Sequence, residues 1–323
     1  DEDREEVARK MARYDFLAMP VTDSQHHLVG IVTHDDVIDV MVDEATEDVH
    51  RMGAVDPIEE GYLDAPFVTV WRKRLVWLAC LFIAELFTFT ALSHFEDAIA
   101  KLVVLSLFVP LCISTGGNSG SQAATLITRA VALGEIKATD WFRVLRHELA
   151  MGIVLGLTLG AIGVLRGAAT PESTRDASRE IPEPFQVETA DATPLTLDSQ
   201  GRVLVPKGSI QMVHATLEQH AHIALPPGQG IPVPSSARPR VYDFPARCIV
   251  STQPVNRWQL ALIIGQAVAA ICLWGTLVGS MLPLVFRRIG IDPGYASSPF
   301  VATFVDVTGI VIYFSIAQFY LGM

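Results

Sequence analysis

The sequence predicts a mainly α-helical membrane protein with five transmembrane helices, a partial α/β domain at its N-terminus and a small β-rich insertion. Three observations lead there. Half of the residues are hydrophobic and mean hydropathy is +0.36, yet 35 residues are acidic and the net charge is -11. That mixture joins apolar spans to a polar, acidic soluble part. Five apolar stretches reach roughly 20 residues, enough to cross a bilayer core. Between the third and fourth of them lies a Pro-rich polar segment with short alternating apolar runs, the pattern of a small β module.

Residues 1 to 55 are soluble in character. A helical stretch, EEVARKMARY, precedes a short apolar run, HLVGIVT, and a second helical stretch, DDVIDVMVDEA. Their periods predict helix, strand, strand, helix, with a hairpin turn near Asp23 to His27. Two strands alone cannot bury both faces, so this unit calls for a partner, expected from residues upstream. The first residues, DEDREEVARK, lack the apolar core of a signal peptide and do not begin with Met, which reads as a cut inside a longer protein.

The expected spans are Leu75 to Leu92, a second from Ala98 through KLVVLSLFVPLCI and on past STGGNSGSQ, Leu149 to Leu165, Leu260 to Phe286, and Phe300 to Leu321. Lys and Arg flank them on one side: Arg72, Lys73 and Arg74 before the first; Arg129, Lys137, Arg143 and Arg146 between the second and third; Arg287 and Arg288 between the fourth and fifth. The positive-inside rule then puts the N-terminus in the cytoplasm, and the C-terminus and the 167–257 insertion outside it; the expected location is a cell inner membrane. The start of that insertion, TPESTRDASREIPEP, has a disordered composition. The expected divisions are 1–55, 75–166 for helices one to three, 167–257, and 258–323 for helices four and five.

Composition excludes several classes. Lys and Arg total 24 and form no basic face, so nucleic acid is not a partner. Cys80, Cys112, Cys248 and Cys272 show no CxxC spacing, which argues against a thiolate zinc site or a disulfide framework. His147 and Glu148 begin an HExxH, but its fifth position is Met151. No phosphate-cradling GxxxxGK[ST] is present, and no nucleophile, base and oxyanion donor assemble from the span residues, so the chain reads as no enzyme.

Asp306, in SSPFVATFVDVTGIVIYF, is an ionisable group well inside an apolar span, a functional residue by default because of its cost there. Thr303, Thr308 and Gly309 beside it offer oxygen and close helix approach. A carboxylate merely hydrogen-bonded to neighbouring helices is the plainer alternative. The second intrusion, Ser114 to Gln122, carries Gly116, Gly117, Asn118 and Gly120, which permit an unwound or closely approached backbone. Packing through small residues alone would fit the glycines; Asn118 and Gln122 ask for more. Hard oxygens suit Mg2+ or Ca2+, and so few of them suit an Mg2+ that keeps its water. Glu85, in the first span, has no assigned role. Glu148, at the start of the third, reads as a rim or ion-pair residue.

These residues resemble one family closely, the MgtE magnesium channels and transporters, related to solute carrier family 41. The motifs are PLCISTGGNSGSQAATLITRA, RHELAMGIVLGLTLG, GTLVGSMLPLVFRRIGIDP and SSPFVATFVDVTGIVIYFSIA, and LVGIVTHDDVIDVMVDEATEDVHRMGAV resembles the ending of its paired CBS domains. The resemblance implies a homodimer in membrane lipid, with the pore between two membrane parts and Mg2+ as both cargo and regulator. It implies pore contacts at Asp306, the Ala302 carbonyl and Asn118, and an accessory ion contact at Asp292. It further implies cytoplasmic sensing positions at Asp3, Glu5, Asp15, Asp36, Asp39, Glu44, Glu47 and Asp48, and a connecting or plug helix over 45–74. The family's first soluble domain and first CBS motif are absent from the sequence, and the long insertion departs from its usual short outer connection. His214, His220 and His222 in the insertion match no strong metal spacing. The alternatives are a CBS signalling protein that binds a nucleotide such as ATP and is anchored by its spans, or a transporter mainly for Co2+, Ni2+ or Mn2+.

Overall fold

The computed structural model describes residues 3–58, 60–96, 99, 103–171, 178–189, 195–197, 199, 201–205, 210–212, 215–217, 221–235, 240–252 and 256–321. The N-terminal part runs α1 (Arg4–Tyr14), β1 (Ala18–Thr22), β2 (Leu28–Thr33) and α2 (His34–Met52), in the order its periodicity predicts. β1 and β2 pair antiparallel around a turn in which Asp23 accepts from the Gln25 and His27 amides. Ala8, Met11 and Val37 are buried together, with Met19, Val32 and Val40 against them. On the other strand face Val29 and Ile31 stay exposed, so the pair buries one side only.

α2 starts from a capping box. The Asp36 carboxylate accepts from the Thr33 amide at 2.9 Å and from its hydroxyl at 2.7 Å, which satisfies orphan helix-end donors. Those bonds hold Asp36 below the usual carboxylate range. α2 ends at Met52, where the Gly53 and Ala54 amides turn back onto Val49 and Arg51 carbonyls. The next helix, α3 (Phe67–His94), begins 15 residues later. The segment 45–74 is therefore not one connecting helix. It comprises the end of α2, a non-helical stretch, and the first turns of α3, tied together by the Asp56 amide on the Lys73 carbonyl and the Lys73 ammonium on the Pro57 carbonyl.

Four further long helices follow: α4 (Val103–Ala132), α5 (Trp141–Ala168), α6 (Arg257–Arg288) and α7 (Ser298–Leu321). From Val103 on for the second, the five expected spans lie on α3 to α7. Among the described residues α3, α5, α6 and α7 are long and apolar enough to cross a membrane. α4 has 30 residues with Pro110 inside it and carries the polar STGGNSGSQ. It runs through that stretch without unwinding, so the helix ladder uses the carbonyls that a broken span would have exposed.

Two compact units divide the chain: Asp1–Ala91, Ile113–Leu155 and Ile271–Gly309 form one, and Leu92–Cys112, Gly156–Ala270 and Ile310–Met323 the other. In the first, α4 and α6 approach backbone to backbone. A Cβ on Gly120 would lie 2.8 Å from the Gly275 carbonyl oxygen and 2.8 Å from Val301. Gly116 meets Gly275 and Gly120 meets Gly279 in the same way, two interlocked small-xxx-small stripes. The Ser119 and Thr276 hydroxyls pair there at 2.5 Å, and Thr276 donates to the Cys272 carbonyl.

The second unit packs Gly156, Gly160 and Gly167 of α5 on Ala269, Gly265 and Ala261 of α6. Tyr313 donates to the Leu105 carbonyl at 2.8 Å, and Phe95 stacks on Phe314. This unit also contains the insertion. Five antiparallel strands, β3 (Ser178–Ile181), β5 (Thr196–Leu197), β6 (Val203–Val205), β9 (Ala221–Ala224) and β11 (Cys248–Thr252), lie in the order β3-β11-β9-β6-β5. β4 (Phe185–Thr189) pairs with β10 (Arg240–Phe244), and β7 (Ile210–Met212) with β8 (Ala215–Leu217). Val187, Val203, Ile223, Tyr242 and Phe244 share one core. Ser178–Ile181 is thus a paired strand, although its neighbourhood, TPESTRDASREIPEP, reads as disordered from composition. His214 and His220 lie outside the described residues.

Candidate metal site

α7 sorts its residues by period. Val301 and Val305, four apart, are fully buried and face Gly120 and Gly116 of α4. Ala302 and Asp306, one position on, form the adjoining ridge and meet Gly117. A Cβ on Gly117 would sit 3.6 Å from Asp306 Oδ1 and 3.7 Å from the Ala302 Cβ. Glycine therefore leaves open the space beside the carboxylate. Asn118 is exposed and sends its amide nitrogen to Ser114 Oγ at 3.4 Å, which leaves its Oδ1 available as an acceptor. Of the residues expected at a pore, Asp306 and Ala302 both face Gly117, and Asn118 is the next residue along that helix. Asp306 is half-buried.

The threonines beside Asp306 do not serve it. Thr308 donates to the Phe304 carbonyl at 2.8 Å and accepts from Trp274 Nε1 at 2.9 Å. Gly309 packs on Ile271 and Ile113. Thr303 lines an almost wholly apolar cavity of ≈ 260 Å³ with Trp77, Leu81, Ala84, Phe304 and Val307. That cavity places α3 against α7, and Glu85 follows its lining residue Ala84 on α3. An acid in an otherwise apolar span is the signal that marks Glu85 in the sequence.

The acidic residues of the N-terminal part take local structural positions. Asp3 caps α1, accepting from the Glu5 amide at 3.1 Å. Asp15 ends α1 in the left-handed conformation, φ 54, as a C-cap residue does. Glu5 pairs with Arg9 at 3.2 Å; burial raises its carboxyl above the ordinary value, and Arg9 opposes that. Asp36 is the capping-box acid, and Asp39 is exposed on α2. Glu44 binds Arg4 at 2.8 Å, and Glu47 binds Arg51. Asp48 lies 3.6 Å from Arg129; burial first, and repulsion from Asp292 second, push its carboxyl up. Asp292 binds Arg51 and accepts from the Gly294 amide at 2.7 Å. Among the described residues no three His, Cys, Asp or Glu side chains converge as a metal-holding group.

The divalent cation transporter family MgtE matches residues 109–179 and 244–316, and the CBS domain matches residues 1–43. The gap between the two stretches of the first match falls on strands of the insertion. The chain is 34% identical over 318 residues to the magnesium transporter MgtE of Thermus thermophilus, covering 98% of this chain and 52% of that protein. It is 27% identical to the magnesium transporter MgtE of Enterococcus faecalis, covering 99% and 51%, and 26% identical to that of Bacillus subtilis, covering 98% and 51%. The chain spans about half the length of the curated relatives it matches. Its helical membrane part, its CBS domain and its likeness over nearly its whole length to these transporters agree: the chain belongs to the MgtE family.

Proposed function

We propose that this chain carries Mg2+ across the inner membrane into the cytoplasm, down its electrochemical gradient, past Asp306. The observation that carries this reading is the approach of Asp306 and Ala302 to Gly117, next to the exposed Asn118 on the same helix. A half-buried carboxylate and an exposed amide on apolar helices need water or a partner. Both are supplied if two copies face each other across a water-filled path. One carboxylate per copy is too few to strip Mg2+, so the ion passes largely hydrated. A membrane potential favours entry of the doubly charged ion by about 4.6 kcal/mol per 100 mV. The names of the relatives support the choice of ion.

The same reading makes the N-terminal part the regulator, with cytoplasmic Mg2+ screening its acidic surface and closing the path. Uptake into liposomes holding the whole chain tests the reading. Mg2+ entry that grows with inside-negative potential is expected, with Co2+, Ni2+ and Mn2+ competing according to their hydration. Liposomes that admit no more Mg2+ than protein-free ones would refute it.

A further inference from the structure

Among the described residues, the Arg51 side chain carries the C-terminal end of α2 onto the connection between α6 and α7. Its guanidinium binds Glu47 on its own helix and Asp292 across the junction. It also lies over the Tyr295 ring, 5.7 Å from the centroid, and Tyr295 stacks on Trp77 of α3 at 5.5 Å. The stem is fitted as closely as the head. A Cβ on Gly294 would lie 3.0 Å from Arg51 Cβ and 3.3 Å from its Cδ, so a larger residue would fit only if the arginine gave way by a few tenths of an ångström. Asp292 serves both partners: Oδ1 accepts from the Gly294 amide and holds the Pro293–Tyr295 turn, while Oδ2 takes the guanidinium.

The third nearby carboxylate, Asp48, has its own guanidinium in Arg129. Three acids brought to one junction would repel each other if uncompensated. Here two arginines already lie among them, and the Arg51 head is mostly sheltered from solvent, with its Nε buried. Arginine suits the task because its charge persists at all pH values and its planar fork reaches two carboxylates at once.

We infer that Arg51 is a built-in cation that bridges Glu47 and Asp292, locks α2 onto the Pro293–Tyr295 turn, and takes the place a divalent ion would need between those two carboxylates. Closure of this junction then needs no bound metal. A divalent ion can enter the pair only by displacing the guanidinium. Glu47 and Asp292 are accordingly lock residues, and ion sensing falls to other carboxylates.

Hydrogen–deuterium exchange of the whole chain in lipid nanodiscs tests this, read on peptides covering 47–55 and 291–296. The measurement reports the junction and not transport, so it stands whether or not the chain carries Mg2+. Wild-type protein is expected to exchange equally slowly in both peptides with a chelator or with Mg2+ present. Arg51→Met keeps the stem against Gly294 and removes the charge. It should exchange about tenfold faster in chelator and recover with Mg2+, because two facing carboxylates are left free to share the ion. Arg51→Lys keeps a charge and should stay protected in chelator. Asp292→Asn should exchange faster under both conditions, since no facing pair remains. Wild-type protection that itself requires Mg2+ would overturn the inference. So would Arg51→Met at the wild-type rate in chelator, or Arg51→Lys as fast as Arg51→Met. Exchange in the α6 peptides serves as the control for folding of each variant.

Discussion

Asp306→Asn is expected to reduce Mg2+ uptake to the level of protein-free liposomes while leaving the helices assembled. Its side chain is nearly the same size, so the ridge of Ala302 and position 306 still faces Gly117 at ordinary contact distance. What disappears is the charge. A hydrated Mg2+ at a membrane-depth site is held by the field of the carboxylate and by water-bridged contacts, and a neutral amide supplies only the second. Asp306→Glu restores the charge on a longer stem and should retain partial uptake. Glu85→Gln, which removes the acid of α3 beside the cavity-lining Ala84, should change the uptake rate without abolishing it. Full uptake by Asp306→Asn would mean that the carboxylate has a packing role.

Gly120→Leu is expected to prevent assembly of the membrane helices, and even Gly120→Ala should destabilise them by roughly 1–3 kcal/mol. The first added carbon already meets the Gly275 carbonyl oxygen and Val301, each at 2.8 Å. Neither can step aside, since one is backbone and the other is fully buried. Gly117→Ala, three residues away on the same helix, is the contrasting case. Its added carbon finds contacts of 3.6 to 3.8 Å, so stability should hold while the space beside Asp306 narrows and uptake slows. Thermal unfolding followed by size-exclusion chromatography separates the two outcomes. Equal melting of Gly120→Ala and Gly117→Ala would contradict the packing described here.

That contrast shows how far the sequence could be read. GGNSG announces both small-residue packing and an unwound, liganding backbone, and composition cannot choose between them. The fold divides the motif by face: Gly116 and Gly120 pack on α6, while Gly117 borders Asp306 and Asn118 is exposed. The helix stays intact because interlocking with Gly275 and Gly279 needs a regular ladder on both sides. Asp306 and Asn118 stand out in the sequence because a polar group in an apolar span is costly and therefore conspicuous, whereas Ala302 enters only through the family resemblance.

The acidic residues of the N-terminal part were harder to read, since a carboxylate used as a helix cap looks the same in sequence as one used for an ion. Asp3 and Asp36 sit where N-cap and capping-box rules put them, and those positions were visible. The pairing of Glu47 with Arg51 had a local signal in its i,i+4 spacing. The pairing of Arg51 with Asp292 had none, because the partners are 241 residues apart. Chain spacing likewise hid the antiparallel sheet of the insertion, whose first and last strands, Ser178–Ile181 and Cys248–Thr252, are neighbours.

Asp306 is expected to hold a hydrated divalent cation beside Gly117. Anomalous diffraction from crystals of the whole chain grown with Mn2+ tests it most directly, Mn2+ standing in for Mg2+ as an oxygen-preferring ion with a measurable signal. A peak is expected next to the Asp306 carboxylate, between two copies of the chain. Its distance from the carboxylate oxygen should exceed the roughly 2.1 Å of direct ligation, leaving room for water. Mn2+ bound elsewhere in the membrane helices, with no density at Asp306, would contradict the account.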